Sequence, residues 1–236
     1  MTRALGSAWK ARAGESWEKA RSRRLRVAET FVSLQGEGSR VGRPTAFVRL
    51  TGCALRCRWC DSAFAFYQGR WRGLDELEAE ILASRVGRVC MTGGEPLLQP
   101  SVIPLVRRLA RDHGLDVVLE TGGDQDISVV PEEAAVVMDI KLPGSGMAGT
   151  FDEANLGRLR VRDEVRLVVA DRRDYLVARD YVARLRRTFT GEILLGAVWD
   201  ELEPGTLARW ALDDGLDVRL QVQLHKILWP GAEKGV

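Results

Sequence analysis

Three of the chain's four cysteines, Cys53, Cys57 and Cys60, fall in the stretch TGCALRCRWCDS (51–62), and no fourth thiol follows nearby. On a loop, C-x3-C-x2-C spacing lets three sulfurs converge on one soft metal centre. A structural zinc ion needs a fourth ligand to close its tetrahedron, and the chain offers few: Cys90 inside an apolar run, His113 and His225. A 4Fe–4S cube normally takes four thiolates, so three cysteines hold all but one iron and leave that iron open to a ligand. Further along, Thr92-Gly93-Gly94-Glu95-Pro96 closes an apolar run without bulky side chains. Its backbone carbonyls can approach a ligand's ammonium closely, although Gly-Gly before Glu-Pro would equally serve to turn a strand into a helix.

Positioning such groups requires a frame. Short β-branched runs at 46–52, 88–94, 116–123, 134–142, 164–171, 192–199 and 216–226 read as strands, most of them nearly continuous in apolar residues, as parallel strands covered on both faces are. Between them, Leu74, Leu77, Ile81 and Leu82 share a helical face, as do Val102, Leu105, Val106 and Leu109, and Ala178, Tyr181, Val182 and Leu185. The repeating unit is βα, which favours an α/β fold, an open or partial barrel. The unusual residues cluster where these strands end: Gly52-Cys53, Thr92 to Pro96, Glu120 to Gly123, Asp139 to Lys141, and His225-Lys226. Active sites of β/α barrels collect at that rim, so one shared pocket is the economical reading.

With 236 residues and 45% hydrophobic content the chain can bury a sizeable core. A net charge of +2 with 29% charged residues calls for neither nucleic acid nor a membrane surface. No apolar run reaches the roughly 20 residues of a spanning helix, and the N-terminal residues are basic without the apolar h-region of a secretory signal, so a cytoplasmic location is expected. In a reducing compartment clustered cysteines are metal ligands or catalytic groups rather than a disulfide framework. Residues 1–26 stand apart as a basic extension, read as a solvated tail or docking helix more readily than as a nucleic-acid or targeting segment, ahead of a single domain over 27–236.

The cysteine spacing after the first barrel strand, followed by T-G-G-E-P at the end of the second, resembles the radical S-adenosylmethionine (SAM) enzymes. The resemblance implies a partial, incomplete parallel β/α barrel of the radical SAM type. It also implies a 4Fe–4S cluster whose open iron chelates SAM, and cleavage of SAM to a 5′-deoxyadenosyl radical. More narrowly, AETFVSLQGEGSRVGRPTAFVRLTGC (28–53), WCDSAFAF (59–66), MDIKLPGSGM (138–147), VRLVVADRRDY (165–175) and DDGLDVRLQVQLHKILWPGAEKGV (213–236) resemble the 7-carboxy-7-deazaguanine synthase family. That likeness implies ring contraction of a small-molecule pterin, 6-carboxy-5,6,7,8-tetrahydropterin, with loss of ammonia, on the route to queuosine and other 7-deazapurines. It further implies Mg²⁺, a homodimer, and an electron donor such as flavodoxin or ferredoxin.

By position, the resemblance assigns the cluster to Cys53, Cys57 and Cys60, and SAM to Gly94, Asp139, Ile140 and Lys141. Pterin contacts fall on Leu34, Gln35, Gly36, Glu37, Arg49, Thr92, Glu120, His225 and, loosely, Pro230. The set is chemically sensible: Gln, Glu and backbone groups read an amide-like edge, and a carboxylate wants a cation such as Arg49. Arg49 has a plainer reading as half of an ordinary ion pair on its strand. Ser62 stands where the family pattern has threonine on Mg²⁺; it keeps the oxygen, while a loop serine capping backbone is the plainer alternative. Ala54 replaces a frequent asparagine, LGAVWDELEP (195–204) departs too far to carry a role, and Trp59, Asp61 and Cys90 are read as structural. Two alternatives stay open at this stage. A glycyl-radical activating enzyme shares the cluster spacing but acts on a protein loop, against which SLQGEG and Arg49 argue, and a structural zinc protein would have no activity.

Overall fold

Near-continuous apolar runs are where the central strands form, and amphipathic segments flank them. The structure, a computed structural model, describes residues 14–236. In chain order its elements are helix α1 (Trp17–Ala20), strands β1 (Arg24–Leu34), β2 (Pro44–Leu50) and β3 (Arg70–Gly73), helix α2 (Leu74–Ala83), β4 (Arg88–Gly93) and α3 (Val102–Arg107). There follow β5 (Asp116–Thr121), β6 (Ala135–Asp139), β7 (Glu164–Val169), α4 (Arg172–Leu185), β8 (Glu192–Ala197), α5 (Pro204–Asp213), β9 (Arg219–Gln221) and α6 (Leu224–Leu228). One nine-stranded sheet results, ordered β3-β1-β2-β4-β5-β6-β7-β8-β9. From β2 through β9 neighbouring strands are parallel; β1 is antiparallel to both β2 and β3. The sheet is not closed, so the fold is the expected partial α/β barrel.

The flanking strands β1 and β3 were not anticipated, whereas β2 was. The β1 sequence RLRVAETFVSL mixes charges with apolar residues, as befits a strand buried on one face, and it pairs Phe31 with Phe47 in a stack of centroids 4.7 Å apart. Its start at Arg24, and the burial of Ala20 in the main core, bring the ordered chain ahead of the boundary expected at residue 27. The basic extension as far as residue 13 lies outside the described residues.

The βα alternation also lapses: β5, β6 and β7 are joined through 3-10 turns instead of α-helices. Buried Asn155 latches this region, donating to the carbonyls of Gly123 (2.9 Å) and Gln125 (2.7 Å) and accepting from the Ile127 N–H (3.2 Å). On α2, Leu74, Leu77 and Ile81 are buried while Leu82 faces outward. Helix α4 is started by Asp171, whose carboxylate accepts from the N–H groups of Arg173 and Asp174, both at 2.9 Å.

Period-2 alternation sorts the inward faces of the strands into layers. Phe47, Cys90, Val118, Ala135, Val137 and Leu194 form a small apolar cluster apart from the main core. Two residues further along their strands, Arg49, Thr92, Glu120 and Asp139 share the same faces and line a cavity.

Candidate functional site

That cavity, of about 640 Å³, is lined by both halves of the expected site. From the loop after β2 come Cys53, Cys57, Cys60 and Ser62; from strand ends, Arg49, Thr92, Gly94, Glu120, Asp139 and Lys141; from the β1–β2 turn, Leu34, Gln35, Gly36 and Glu37; and from α6, His225. Two expected residues are not brought in. Ile140 follows Asp139, so alternation turns it into the main core, and Pro230 is exposed in the turn after α6. His225 does not close a strand as its sequence suggested, because β9 ends at Gln221 and α6 delivers the imidazole instead. It packs so tightly over Gly36 that any side chain there would collide with the ring.

The cysteine loop is seated by its backbone. Gly94 N donates to Leu50 O (2.9 Å), Glu95 N to Gly52 O (2.7 Å) and Gly52 N to Ala65 O (2.9 Å). A Cβ at Gly93 would strike the Leu50 backbone and one at Gly94 the Gly52 carbonyl, so the glycine pair is needed for this contact. All three thiols are free and half-buried. Burial raises their pKa values, and Glu95 and Asp124 beside Cys53 and Asp139 beside Cys57 raise those further, so proton loss waits on a metal.

Behind the loop, buried Glu95 accepts from Leu97 N (2.9 Å), Thr121 Oγ1 (2.9 Å) and Gly122 N (2.8 Å). Burial and the neighbouring Asp124 nevertheless push it up to about 7. Asp139 behaves oppositely: burial alone would raise it, but Arg166 and Lys141 pull it down to about 2. Arg166 donates to Asp139 Oδ2 from Nε (3.0 Å) and Nη2 (2.6 Å), reaches Glu37 through Nη1, and lies 3.8 Å from Glu120, which accepts from Thr92 Oγ1 at 2.9 Å.

At the rim, Arg49 pairs with Glu29 (2.7 Å), donates to Ser62 Oγ (3.0 Å) and lies over the Phe31 and Phe64 rings. Its ion pair is therefore real, and the residue also lines the cavity. Arg166, Glu95 and Gln223 had drawn no role from sequence. For Arg166 the signal was present, a charged residue at inward parity in an apolar strand, since such residues are almost never buried unpaired.

A metal cluster fits these residues. Among the described residues no three His, Cys, Asp or Glu are gathered around a single-ion position. Three soft thiols on one cavity wall suit a cube, in which each cysteine binds a different iron. Asp139 Oδ1, buried and without a partner among the described residues, offers an acceptor for a ligand beside it.

An unclosed parallel sheet with three cysteines on the loop after its first parallel strand defines a class of protein, and a family model described as the Radical SAM superfamily matches residues 47–176. The chain is 39% identical over 227 residues to a 7-carboxy-7-deazaguanine synthase of Koribacter versatilis, with 90% of this chain and 100% of that one covered. It is 40% identical over 215 residues to one of Chlorobaculum tepidum, covering 90% and 97%. Among solved structures, QueE from Escherichia coli superposes with a TM-score of 0.71 at 24% identity, over 86% of this chain and 95% of the other, a likeness of fold. The chain belongs to the radical SAM superfamily and, within it, to the 7-carboxy-7-deazaguanine synthase family.

Proposed function

We propose that this cavity contracts the ring of 6-carboxy-5,6,7,8-tetrahydropterin to 7-carboxy-7-deazaguanine with release of ammonia, a step toward queuosine and other 7-deazapurines. The observation that carries the reading is a single cavity lined both by the three thiols and by side chains suited to a small planar heterocycle. A SAM-chelating 4Fe–4S cluster, when bound, supplies the radical that removes a hydrogen atom from the pterin. Cys53, Cys57 and Cys60 would hold it, with Asp139, Lys141 and the Gly94 backbone beside the cofactor.

The protein's own task is positioning. Glu37 and Glu120 accept from the donor edge of the pterin, and Thr92 fixes the rotamer of Glu120 by its 2.9 Å hydrogen bond. Arg49 takes the pterin carboxylate, pre-aimed by Glu29 and two aromatic faces. His225 and Gly36 close the floor. Ser62 would offer its hydroxyl to Mg²⁺, a hard cation that takes oxygen ligands. The chain is proposed to work as a cytoplasmic homodimer reduced by a flavodoxin or ferredoxin; among the described residues no helix is long and apolar enough to cross a membrane.

The test is anaerobic turnover of protein reconstituted with iron and sulfide, using dithionite, SAM, Mg²⁺ and 6-carboxytetrahydropterin. Product with the mass of 7-carboxy-7-deazaguanine is expected, from brown protein holding about four irons per chain. Slow 5′-deoxyadenosine formation without that product would assign the site to another substrate.

A further inference from the structure

Arg166 was assigned to neither cofactor nor pterin, yet it touches the side chains expected to serve both. Its side chain is 10% exposed, and burying a guanidinium is costly unless it is paired. The fold supplies three carboxylates from three separate elements: Asp139 at the end of β6, Glu120 near the end of β5, and Glu37 in the β1–β2 turn. We propose that Arg166 is a positioning residue that holds the cofactor and pterin halves of the site in register by forking one guanidinium between Asp139 and Glu37. This rests on the reading of the cavity as a pterin site.

The geometry of the fork is specific. Nε and Nη2 both donate to Asp139 Oδ2, and Lys141 Nζ approaches the same oxygen at 3.3 Å, so that oxygen is saturated while Oδ1 is left for a ligand. On the other side Nη1 reaches one oxygen of Glu37 and Gln223 Nε2 donates to the other at 2.9 Å. Both oxygens of a carboxylate on an irregular turn are thereby aimed, each retaining a lone pair for a pterin N–H. A lysine cannot reproduce this, because its ammonium is a point charge that reaches one partner where the planar fork spans two. Fixing the two halves to each other matters for a radical step, since a misplacement of about 1 Å in the bound geometry costs on the order of a hundredfold in rate.

A variant at Arg166 can keep the fold. Two residues earlier on the same face of β7, Glu164 accepts from the Ser39 N–H (3.1 Å) and from Arg40 Nη1 (3.0 Å), so the turn stays anchored lower in the barrel. Asp139 likewise keeps Lys141. Loss of the fork therefore loosens Glu37 more than it disturbs the cofactor side.

The experiment compares wild type with Arg166→Lys by equilibrium dialysis against 6-carboxypterin, the oxidised and unreactive analogue, and separately against SAM, on cluster-loaded protein. Arg166→Lys is expected to keep the cluster absorbance and to bind SAM within about threefold of wild type, while its affinity for 6-carboxypterin falls about tenfold, the loss of one arm of the fork. In turnover, KM for the tetrahydropterin rises, and 5′-deoxyadenosine forms in excess over product. The proposal is overturned if Arg166→Lys binds 6-carboxypterin as tightly as wild type, or if SAM and pterin affinities fall by the same factor. The pterin arm is also read on the cluster-free full chain, so a variant that takes up less iron is still judged. Failure of wild type itself to bind 6-carboxypterin would remove the pterin reading, and this inference with it.

Discussion

The cysteine loop and the β1–β2 turn line the same cavity and are built in opposite ways. Around the thiols, the hydrogen bonds that reach sulfur come from backbone groups, such as Leu55 N to Cys53 Sγ at 3.4 Å, and burial holds the sulfurs protonated. The turn is instead cross-linked by side chains along its length. Glu37 is held by Arg166 and Gln223, Gly38 N by Gln221 Oε1 (2.9 Å), Ser39 and Arg40 by Glu164, and Arg40 also by Asp116 (2.9 Å). One region is completed by what binds to it; the other is set before anything binds. In the proposed reaction a radical is generated at one and aimed at the other, so a fixed floor facing a cofactor-dependent wall would place the burden of geometry on protein contacts.

The largest expected effect breaks one region and spares the other. Cys57→Ala removes one of three cluster ligands, so the brown chromophore and all product formation are lost. Because the turn owes nothing to the cluster, the variant still binds 6-carboxypterin in equilibrium dialysis as cluster-free wild type does. If that affinity collapses along with the iron, the two regions are not independent and the contrast fails.

Next in size is a change in the turn's anchor. Glu164→Ala removes a carboxylate only 2% exposed together with its hydrogen bonds from Ser39 and Arg40, while Arg40 keeps Asp116. The loss is about 2 kcal/mol, lowering the thermal midpoint by roughly 4 to 8 °C. Calorimetry or circular dichroism of the cluster-free chain checks it, and a shift of only a degree or two would mean that the turn does not depend on this anchor.

A smaller effect appears as a pH dependence. Glu95, under the cysteine loop, is pushed up to about 7 by burial and Asp124, whereas Asp139, on Arg166 and Lys141, is pulled down to about 2. The folded chain therefore holds the Glu95 proton more tightly than the unfolded chain does. Its stability falls as pH rises from the ordinary 4.5 through about 7. The stability contributed by Asp139 is present above its ordinary 3.8 and is lost only as pH falls toward about 2. Urea titrations of the cluster-free chain between roughly pH 5 and 8 should be flatter for Glu95→Gln than for wild type, with Asp139 silent throughout that range. Parallel curves would show that Glu95 is ionised like any surface carboxylate.

Much of this contrast is absent from the sequence. The parallel strands could be read because burial on both faces leaves a continuous apolar run, and the cysteine spacing because three thiols on a short loop have few other uses. Arg49, Thr92, Glu120 and Asp139 could be placed near strand ends, where barrel sites gather. The amphipathic β1 and the short β3 lacked such a run. Arg166 and Glu164 looked like ordinary charges because their partners, Glu37, Ser39 and Arg40, lie more than a hundred positions away in the chain, and only the assembled fold brings them together. Ile140 shows the converse. The resemblance takes Asp139 to Lys141 as one segment, while strand alternation sends the side chains of Asp139 and Ile140 to opposite faces.

Ser62 gives the smallest expected effect and links the two regions, because it sits in the cysteine loop and is proposed to act on the pterin half. Its hydroxyl accepts from Arg49 Nη1 at 3.0 Å and donates to Asp61 at 2.9 Å. One more lone pair is free for a hard cation that retains most of its waters. Ser62→Ala should leave iron content, SAM binding and stability at wild-type values, and raise the Mg²⁺ concentration for half-maximal turnover by about fivefold, the worth of one hydroxyl contact. Ser62→Thr, which keeps the oxygen and adds a methyl, should restore the titration. If Ser62→Ala changes the iron spectrum instead of the Mg²⁺ response, the hydroxyl belongs to the cofactor wall. An unchanged Mg²⁺ titration would leave it as a partner of Arg49 and Asp61 only, with no part in holding the metal.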